Sequence, residues 1–309
     1  MMLEDNDQPK CTRLEKIGFG TYGKVYKAKL AIGEMSRGVS SECIALKVIA
    51  IRDVEDMQNA RNEAELLRIA HGGQYVVQMH FAFASDDKTE FNIACELAIG
   101  DLACQRSTVD TLVASAHCIR GMAEVHRHGI MHRDLKLENF LLVMTQKGEG
   151  VVKISDLSLG IHKSDSKDTN VQTSWYRAPE LLIPILPYNS AIDLWALGQV
   201  LHHLVEGRAK FMLDGKPLLH AIFQDACMHP VPTTFEHLIG VKKMPVRQLA
   251  PHRWIDGFAQ INPLQRVTAI HVCSSDADLV GQRACALRVA KKRPRSPETH
   301  CEESLTECG

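Results

Sequence analysis

No sign of charge dominates this sequence: 36 lysines and arginines stand against 37 aspartates and glutamates, a net −1 at neutral pH. Nothing in that balance draws the chain toward nucleic acid or an anionic membrane, and neither is expected as a partner. No apolar run approaches the ~18 residues needed to span a bilayer. The acidic opening Met1-Met2-Leu3-Glu4-Asp5-Asn6-Asp7 lacks the apolar segment of a secretion signal. An intracellular protein, nuclear or cytoplasmic, is the expectation. The 10 cysteines form no C-x-x-C pair, and no histidine cluster has zinc spacing. That favours reduced, partly buried thiols over disulfides or a structural metal. Internal repeats are absent too. What is present is 45% hydrophobic residues over 309 positions, ordinary globular content with length for a substantial core.

The densest chemistry lies in His132-Arg133-Asp134-Leu135-Lys136-Leu137-Glu138-Asn139. Phosphoryl transfer asks little covalent chemistry of a protein; it needs a positioned nucleophile, screened phosphate charge and bound magnesium. Asp134 is suited to accept the proton of an incoming hydroxyl, and Lys136 to neutralise the migrating phosphoryl group. Asn139 is suited to ligate Mg²⁺ through its side-chain oxygen. A charged loop is usually only solvated, but eight ordered residues of these types are hard to reach by chance.

Upstream, Gly18-Phe19-Gly20-Thr21-Tyr22-Gly23-Lys24-Val25 has the spacing G-x-G-x-x-G-x-V. Glycines let a backbone approach phosphate oxygens without a Cβ in the way. Dinucleotide folds share the three glycines, so the continuation decides. Val25-Tyr26-Lys27-Ala28-Lys29 alternates apolar and polar, the period of a returning strand. A dinucleotide loop would open a helix there. A hairpin is predicted, and a dinucleotide-dependent oxidoreductase is set aside.

Cys43-Ile44-Ala45-Leu46-Lys47-Val48-Ile49 reads as an apolar strand with one lysine. Lys47 could blunt a sheet edge. Flanked by buried-type residues, it is better placed to grip nucleotide phosphates, and it then needs an anion to hold it. The helix-like run from Asn59 to Ala70 offers Glu63 and Glu65; Glu63 shares a face with Leu67, which makes it the cleft-side partner. Val151-Val152-Lys153-Ile154-Ser155-Asp156 is a strand ending in a carboxylate, and Asp156 is a second Mg²⁺ ligand candidate. Glu180 and Arg266 are either two solvated charges or a buried pair that neither member could leave without cost.

Glycine loop, strand lysine, helix glutamate, catalytic loop, Asp156, Ala178-Pro179-Glu180 and Asp193-Leu194-Trp195-Ala196-Leu197-Gly198 occur in the order of the eukaryotic protein kinases. The chain resembles that family over about residues 12 to 275. The resemblance implies an α+β bilobal fold: a β-rich N-lobe over 12–98 with one regulatory helix, and a larger, mostly α-helical C-lobe over 99–275. Residues 1–11 would be an extension and 276–309 a disordered tail. It implies ATP and Mg²⁺ as cofactors and protein serines and threonines as acceptors, the latter from Lys136. It assigns the nucleotide to Ile17, Gly18, Phe19, Gly20, Thr21, Tyr22, Gly23, Lys24, Val25, Ala45, Lys47 and Leu141. Cys95 would be the gatekeeper, Glu96, Leu97 and Ala98 the adenine-facing hinge, and Asp101 a neighbour of the ribose. Leu67, Met79, His132 and Leu157 would stack as a spine, and Asp193 would brace the catalytic loop. Trp175-Tyr176-Arg177-Ala178-Pro179-Glu180-Leu181-Leu182 resembles the cyclin-dependent, MAP and dual-specificity group, which often prefers proline after the target. Arg133 implies a phosphate on the activation segment, where Ser164, Ser166, Thr169 and Thr173 carry hydroxyls and Asp168 carries a fixed charge. So short a chain fits a viral kinase as well as a cellular one.

Asp156-Leu157-Ser158 departs from the family's Asp-Phe-Gly. Serine loses glycine's access to positive φ, which is expected to stiffen this hinge while sparing the Asp156 carboxylate. A pseudokinase, a scaffold that binds nucleotide or a partner without efficient catalysis, is the alternative to an active enzyme. Beyond residue 276, Lys291-Lys292-Arg293-Pro294-Arg295 is a basic cluster before an acidic stretch. It reads as a solvated tail or as a signal for an import receptor, and it is too small for a nucleic-acid site.

Overall fold

A computed structural model describes residues 11–20, 23–31, 43–162, 170–182, 188–212, 221–222, 266, 268–270 and 273. Of the residues singled out above, Thr21, Tyr22, Ser164, Ser166, Asp168, Thr169 and the cluster from Lys291 to Arg295 lie outside them.

The glycine segment forms the predicted hairpin. Strands β1 (Cys11–Gly20) and β2 (Gly23–Leu30) pair antiparallel, Gly20 opposite Gly23. With β3 (Cys43–Ala50), β4 (Met79–Ala84) and β5 (Glu90–Cys95) they make a five-stranded sheet in the order β1-β2-β3-β5-β4. The two-residue period of the strands separates two faces. One buries Ala28, Ile44, Leu46 and Val48 against Phe81, Phe83 and Ala94. The register puts Val25 opposite Lys47 and Ala45 opposite Cys95, so these four share the other face.

Helix α1 (Val54–Ile69) packs on that second face. Asp53 starts it by accepting a hydrogen bond from Asp56 N at 2.8 Å. Its buried stripe is Ala60, Glu63, Ala64, Leu66 and Leu67, apolar except for Glu63. Glu65 points outward and pairs with Arg68.

Among the described residues after 99, helices predominate over strands, with two small sheets set between them. Strands β6 (Gly100–Asp101), β8 (Phe140–Met144) and β9 (Gly150–Ile154) form one; β7 (Ile130–Met131) and β10 (Ile161–His162) form the other. Helix α2 (Leu102–Gln105) follows β6, and α3 (Thr111–Arg127) is capped by Asp110, which accepts from Val113 N. Helix α4 (Ala191–Glu206) buries residues all round its circumference, as a central helix must, and stops at Gly207 with φ 80°. A β-rich N-terminal lobe with one helix stands beside a mainly helical C-terminal one, the expected α+β arrangement. No helix among the described residues is long and apolar enough to cross a membrane.

Candidate active site

The catalytic loop hangs from a buried carboxylate. Asp193, on α4, accepts from His132 N at 2.8 Å and Arg133 N at 2.9 Å, and its Oδ2 lies 3.0 Å from His126 Nε2. Burial alone would raise this carboxyl; His126 first, and with it the Arg133 amide, more than offset it and hold Asp193 below the usual range. Arg133 adopts φ 65°, a turn that only such anchoring sustains for a non-glycine residue. His132 is fully buried. Its Nε2 faces the Ser155 carbonyl at 2.9 Å and its Nδ1 accepts from Asp134 N, which assigns the neutral tautomer protonated on Nε2.

These anchors put Asp134 among three predicted or neighbouring groups. Lys136 Nζ lies 2.7 Å from Asp134 Oδ2, and Asn139 Nδ2 donates to the Asp134 carbonyl at 2.7 Å. With its nitrogen so engaged, the Asn139 amide turns Oδ1 the other way as a hard oxygen donor. Thr173, which the sequence offers as an acceptor of regulatory phosphate, donates its hydroxyl to Asp134 Oδ1 at 2.8 Å. Spacing could not reveal this contact between residues 39 positions apart.

Lys47 lies between two carboxylates, 2.6 Å from Glu63 Oε1 and 2.8 Å from Asp156 Oδ1. Burial disfavours the ammonium, yet the two anions outweigh it and raise Lys47 above its ordinary value. Burial lifts the Glu63 carboxyl despite Lys47. For Asp156 burial is outweighed by Lys47 and by a hydrogen bond from the Ser158 side chain, and it is held well below the carboxylate range. The left-handed backbone of this segment is at Asp156 itself, φ 61°, and Ser158 is not among the positive-φ residues. Serine in place of glycine therefore meets no positive-φ strain in this conformation.

Glu96 binds Lys153 Nζ at 2.7 and 2.9 Å and accepts from Gln78 N at 2.7 Å, so its carboxylate is turned toward β9 and only its backbone is left to face an adenine. Asp101 caps α2 through Cys104 N, and Leu141 lies opposite it on β8. Cys95 lines the same sheet face as Ala45, and burial pushes its thiol up to about 12, far from a reactive thiolate. Leu67, Met79 and Leu157 belong to one core cluster. Arg133 is already engaged, Nε on the Leu159 carbonyl at 2.6 Å and Nη1 on the Tyr188 hydroxyl. Glu180 and Arg266 form the buried pair, 2.9 Å between Oε2 and Nη2, with the Arg266 guanidinium also 5.3 Å above the Trp195 ring.

Past Thr173's neighbour the backbone turns again. Gln172 has φ 65°, and Arg177 donates to its carbonyl through Nη2 at 2.9 Å and Nε at 3.3 Å. Its side chain is buried, donating to Ile192 O and accepting from Ala178 N. No pattern in the sequence marks this position.

Comparison with known proteins agrees with the geometry. Residues 11–276 match the protein kinase domain. Cyclin-dependent kinase 20 of Pongo abelii is 34% identical over 211 residues, covering 64% of this chain and 57% of that protein. The Danio rerio protein of the same name is 35% identical over 211 residues. Cyclin-dependent kinase B1-1 of Arabidopsis thaliana is 30% identical over 239 residues, 68% of this chain and 74% of that protein. The chain thus spans 57% of the length of the cyclin-dependent kinase 20 it matches. It belongs to the protein kinase domain family, among the relatives of the cyclin-dependent kinases.

Proposed function

We propose that the protein transfers the γ-phosphate of Mg-ATP to serine and threonine hydroxyls of proteins. The observation that carries this is the triad Glu63–Lys47–Asp156 assembled beside an Asp134 that already holds a hydroxyl, that of Thr173. Residues 12–275 would form the catalytic unit, with lobes over 12–98 and 99–275 between an extension and a tail. Magnesium, when bound, screens phosphate charge and ties the nucleotide to the protein, and the Asp156 carboxylate with Asn139 Oδ1 are the hard donors suited to hold it. Lys47, kept charged by its neighbours, positions the phosphates, with Val25, Ala45 and Leu141 beside the base. Asp134 orients the acceptor hydroxyl and takes its proton; Lys136, one bond away, opposes the charge on the moving phosphoryl group.

Acceptor preference follows from Gln172. The segment 172–173 borders Asp134, so the residue after the acceptor passes over it. The Gln172 carbonyl is bound by Arg177 and offers nothing to an incoming backbone N–H. Proline alone lacks that N–H. A proline after the target is therefore the favoured substrate.

Purified wild-type protein with Mg-ATP and matched peptides, Ser-Pro against Ser-Ala, tests both statements. Transfer to serine with preference for Ser-Pro is expected, and Asp134→Asn should lower the rate by about a hundredfold or more while nucleotide affinity stays near wild type. Nucleotide binding without transfer by the wild type would establish the pseudokinase alternative. Equal use of the two peptides would remove the proline preference only. The cluster Lys291 to Arg295 carries a separate proposal, import into the nucleus. Truncation after Asp276 should shift a tagged protein toward the cytoplasm, and undiminished nuclear accumulation would end that idea.

A further inference from the structure

Helix α1 meets the segment beyond Asp156 through residues on either side of Glu63. Asn62 Nδ2 donates to the Gly160 carbonyl at 3.0 Å, across 98 positions of sequence. Leu66 lies one turn after Asn62 on the same face and meets the same residue. A Cβ at Gly160 would stand 2.7 Å from Leu66 Cδ1 and 2.9 Å from Leu157 O, so only glycine permits this approach. The Gly160 N–H is turned inward to Leu157 O at 2.9 Å. The segment itself is tied to the catalytic loop. Arg133 Nε donates to the Leu159 carbonyl at 2.6 Å, and Ile161–His162 pairs with Ile130–Met131, the residues just before His132. Gly160 is thus a fixed post, and the Asn62 amide fastens α1 to it.

The apolar side of α1 does not fix the helix's rotation. Ala60, Ala64, Leu66 and Leu67 lie in the core cluster, and apolar contact is non-directional. Glu63 is 2% exposed, and burying a carboxylate costs free energy even when it is paired. A hydrogen bond, by contrast, has a set length and angle. Asn62 immediately precedes Glu63, so a rotation that swings Glu63 off Lys47 also pulls the Asn62 amide off Gly160. Asparagine is a poorer helix former than alanine, so helix propensity does not account for it here. We propose that Asn62 is a positioning residue: its bond to the Gly160 carbonyl sets the rotation of α1 at which Glu63 meets Lys47. Both ends of that bond belong to one chain, so the pairing is held without a second protein. When α1 turns away, Lys47 loses one of its two anions, and the fraction of molecules ready to take the phosphates falls. This consequence for nucleotide rests on the function proposed above; the fastening itself does not.

The test compares wild type with Asn62→Asp, Asn62→Ala and Asn62→Gln. Aspartate keeps the shape and removes the donor. Alanine removes the side chain yet favours the helix, which keeps the test open if the first variant fails to fold. Glutamine keeps the amide on a longer stem. Hydrogen exchange in nucleotide-free protein is read on the peptides covering residues 59–70 and 157–162. It should rise roughly threefold to tenfold in Asn62→Asp and Asn62→Ala and return most of the way in Asn62→Gln. Steady-state kinetics should show the KM for ATP raised about threefold in the first two variants, because fewer molecules are ready for the nucleotide. The kcat at saturating ATP and the KM for the peptide should stay near wild type, since bound nucleotide restores the competent setting. Unchanged exchange in both Asn62→Asp and Asn62→Ala overturns the fastening. Faster exchange with an unchanged KM for ATP, or with a fall in kcat alone, overturns the role toward nucleotide and leaves the kinase reading intact. A wild type that transfers no phosphate sinks the kinase reading instead, and exchange alone then decides the fastening.

Discussion

Individual side chains here act through the partners that a distant segment brings to them. Asp134 and Lys136 are legible as a pair from their spacing, but the hydroxyl on the other carboxylate oxygen comes from Thr173. Glu63 over Glu65 is likewise legible, because a helix face shared with Leu67 selects it, and Lys47 lies 2.6 Å away as that reasoning expects. Glu96 was assigned by resemblance to an adenine, and only the fold reveals that Lys153 claims its carboxylate. A pair far from the site, Tyr176 and His203, makes a pH prediction. Burial raises the Tyr176 phenol, so it stays protonated and donates to His203 Nδ1 at 2.8 Å. Burial lowers His203, matching a neutral acceptor ring. In the unfolded chain this histidine takes its proton near ~6.5, in the folded protein only at lower pH. Its contribution is present above that value and is lost as pH falls through the folded pKa, because the unfolded state then binds more protons. The thermal midpoint should therefore fall between pH 7.5 and 5.5, and His203→Gln should flatten that slope in a fluorescence melt.

At the level of elements, strand period and helix stripe account for most of what forms. The returning strand after Gly23, the apolar strand around Lys47 and the caps Asp53 and Asp110 all follow from local chemistry. What local chemistry omits is how closely the elements approach. Gly121, in the middle of α3, looks like a weak point for a helix. A Cβ there would stand 2.7 Å from the Tyr75 carbonyl and 3.0 Å from Ile154 Cγ1, where α3 presses on the connection between α1 and β4 and on the end of β9. In an exposed helix Gly→Ala gains about 1 kcal/mol. Here Gly121→Ala should instead destabilise by about 1–3 kcal/mol through overpacking, measured by urea unfolding. A stabilised variant would show that α3 has room to move.

For the whole molecule the joints between lobes and helices matter most. Asp193 on α4 holds the catalytic loop, Asn62 on α1 holds Gly160, and Arg266 reaches Glu180 and the Ala191 carbonyl. The Arg266 side chain is 0% exposed and that of Glu180 12%. Removing one partner leaves a buried charge alone, so Glu180→Gln or Arg266→Met should each cost about 3–5 kcal/mol, and the double variant distinctly less than their sum. Chemical denaturation of the four proteins measures this. An additive result would show two independent charges and no buried pair.

The sequence by itself determined the family and the α+β class and singled out the residues proposed to carry the chemistry, because ordered motifs and hydrophobic periods are local properties. It could not determine which groups meet when they are far apart in the chain. Thr173 on Asp134 and Lys153 on Glu96 depend on backbone turns at positive φ and on the register of packed elements. Those are set when the lobes and helices bury their faces against one another, and only the tertiary structure decided them.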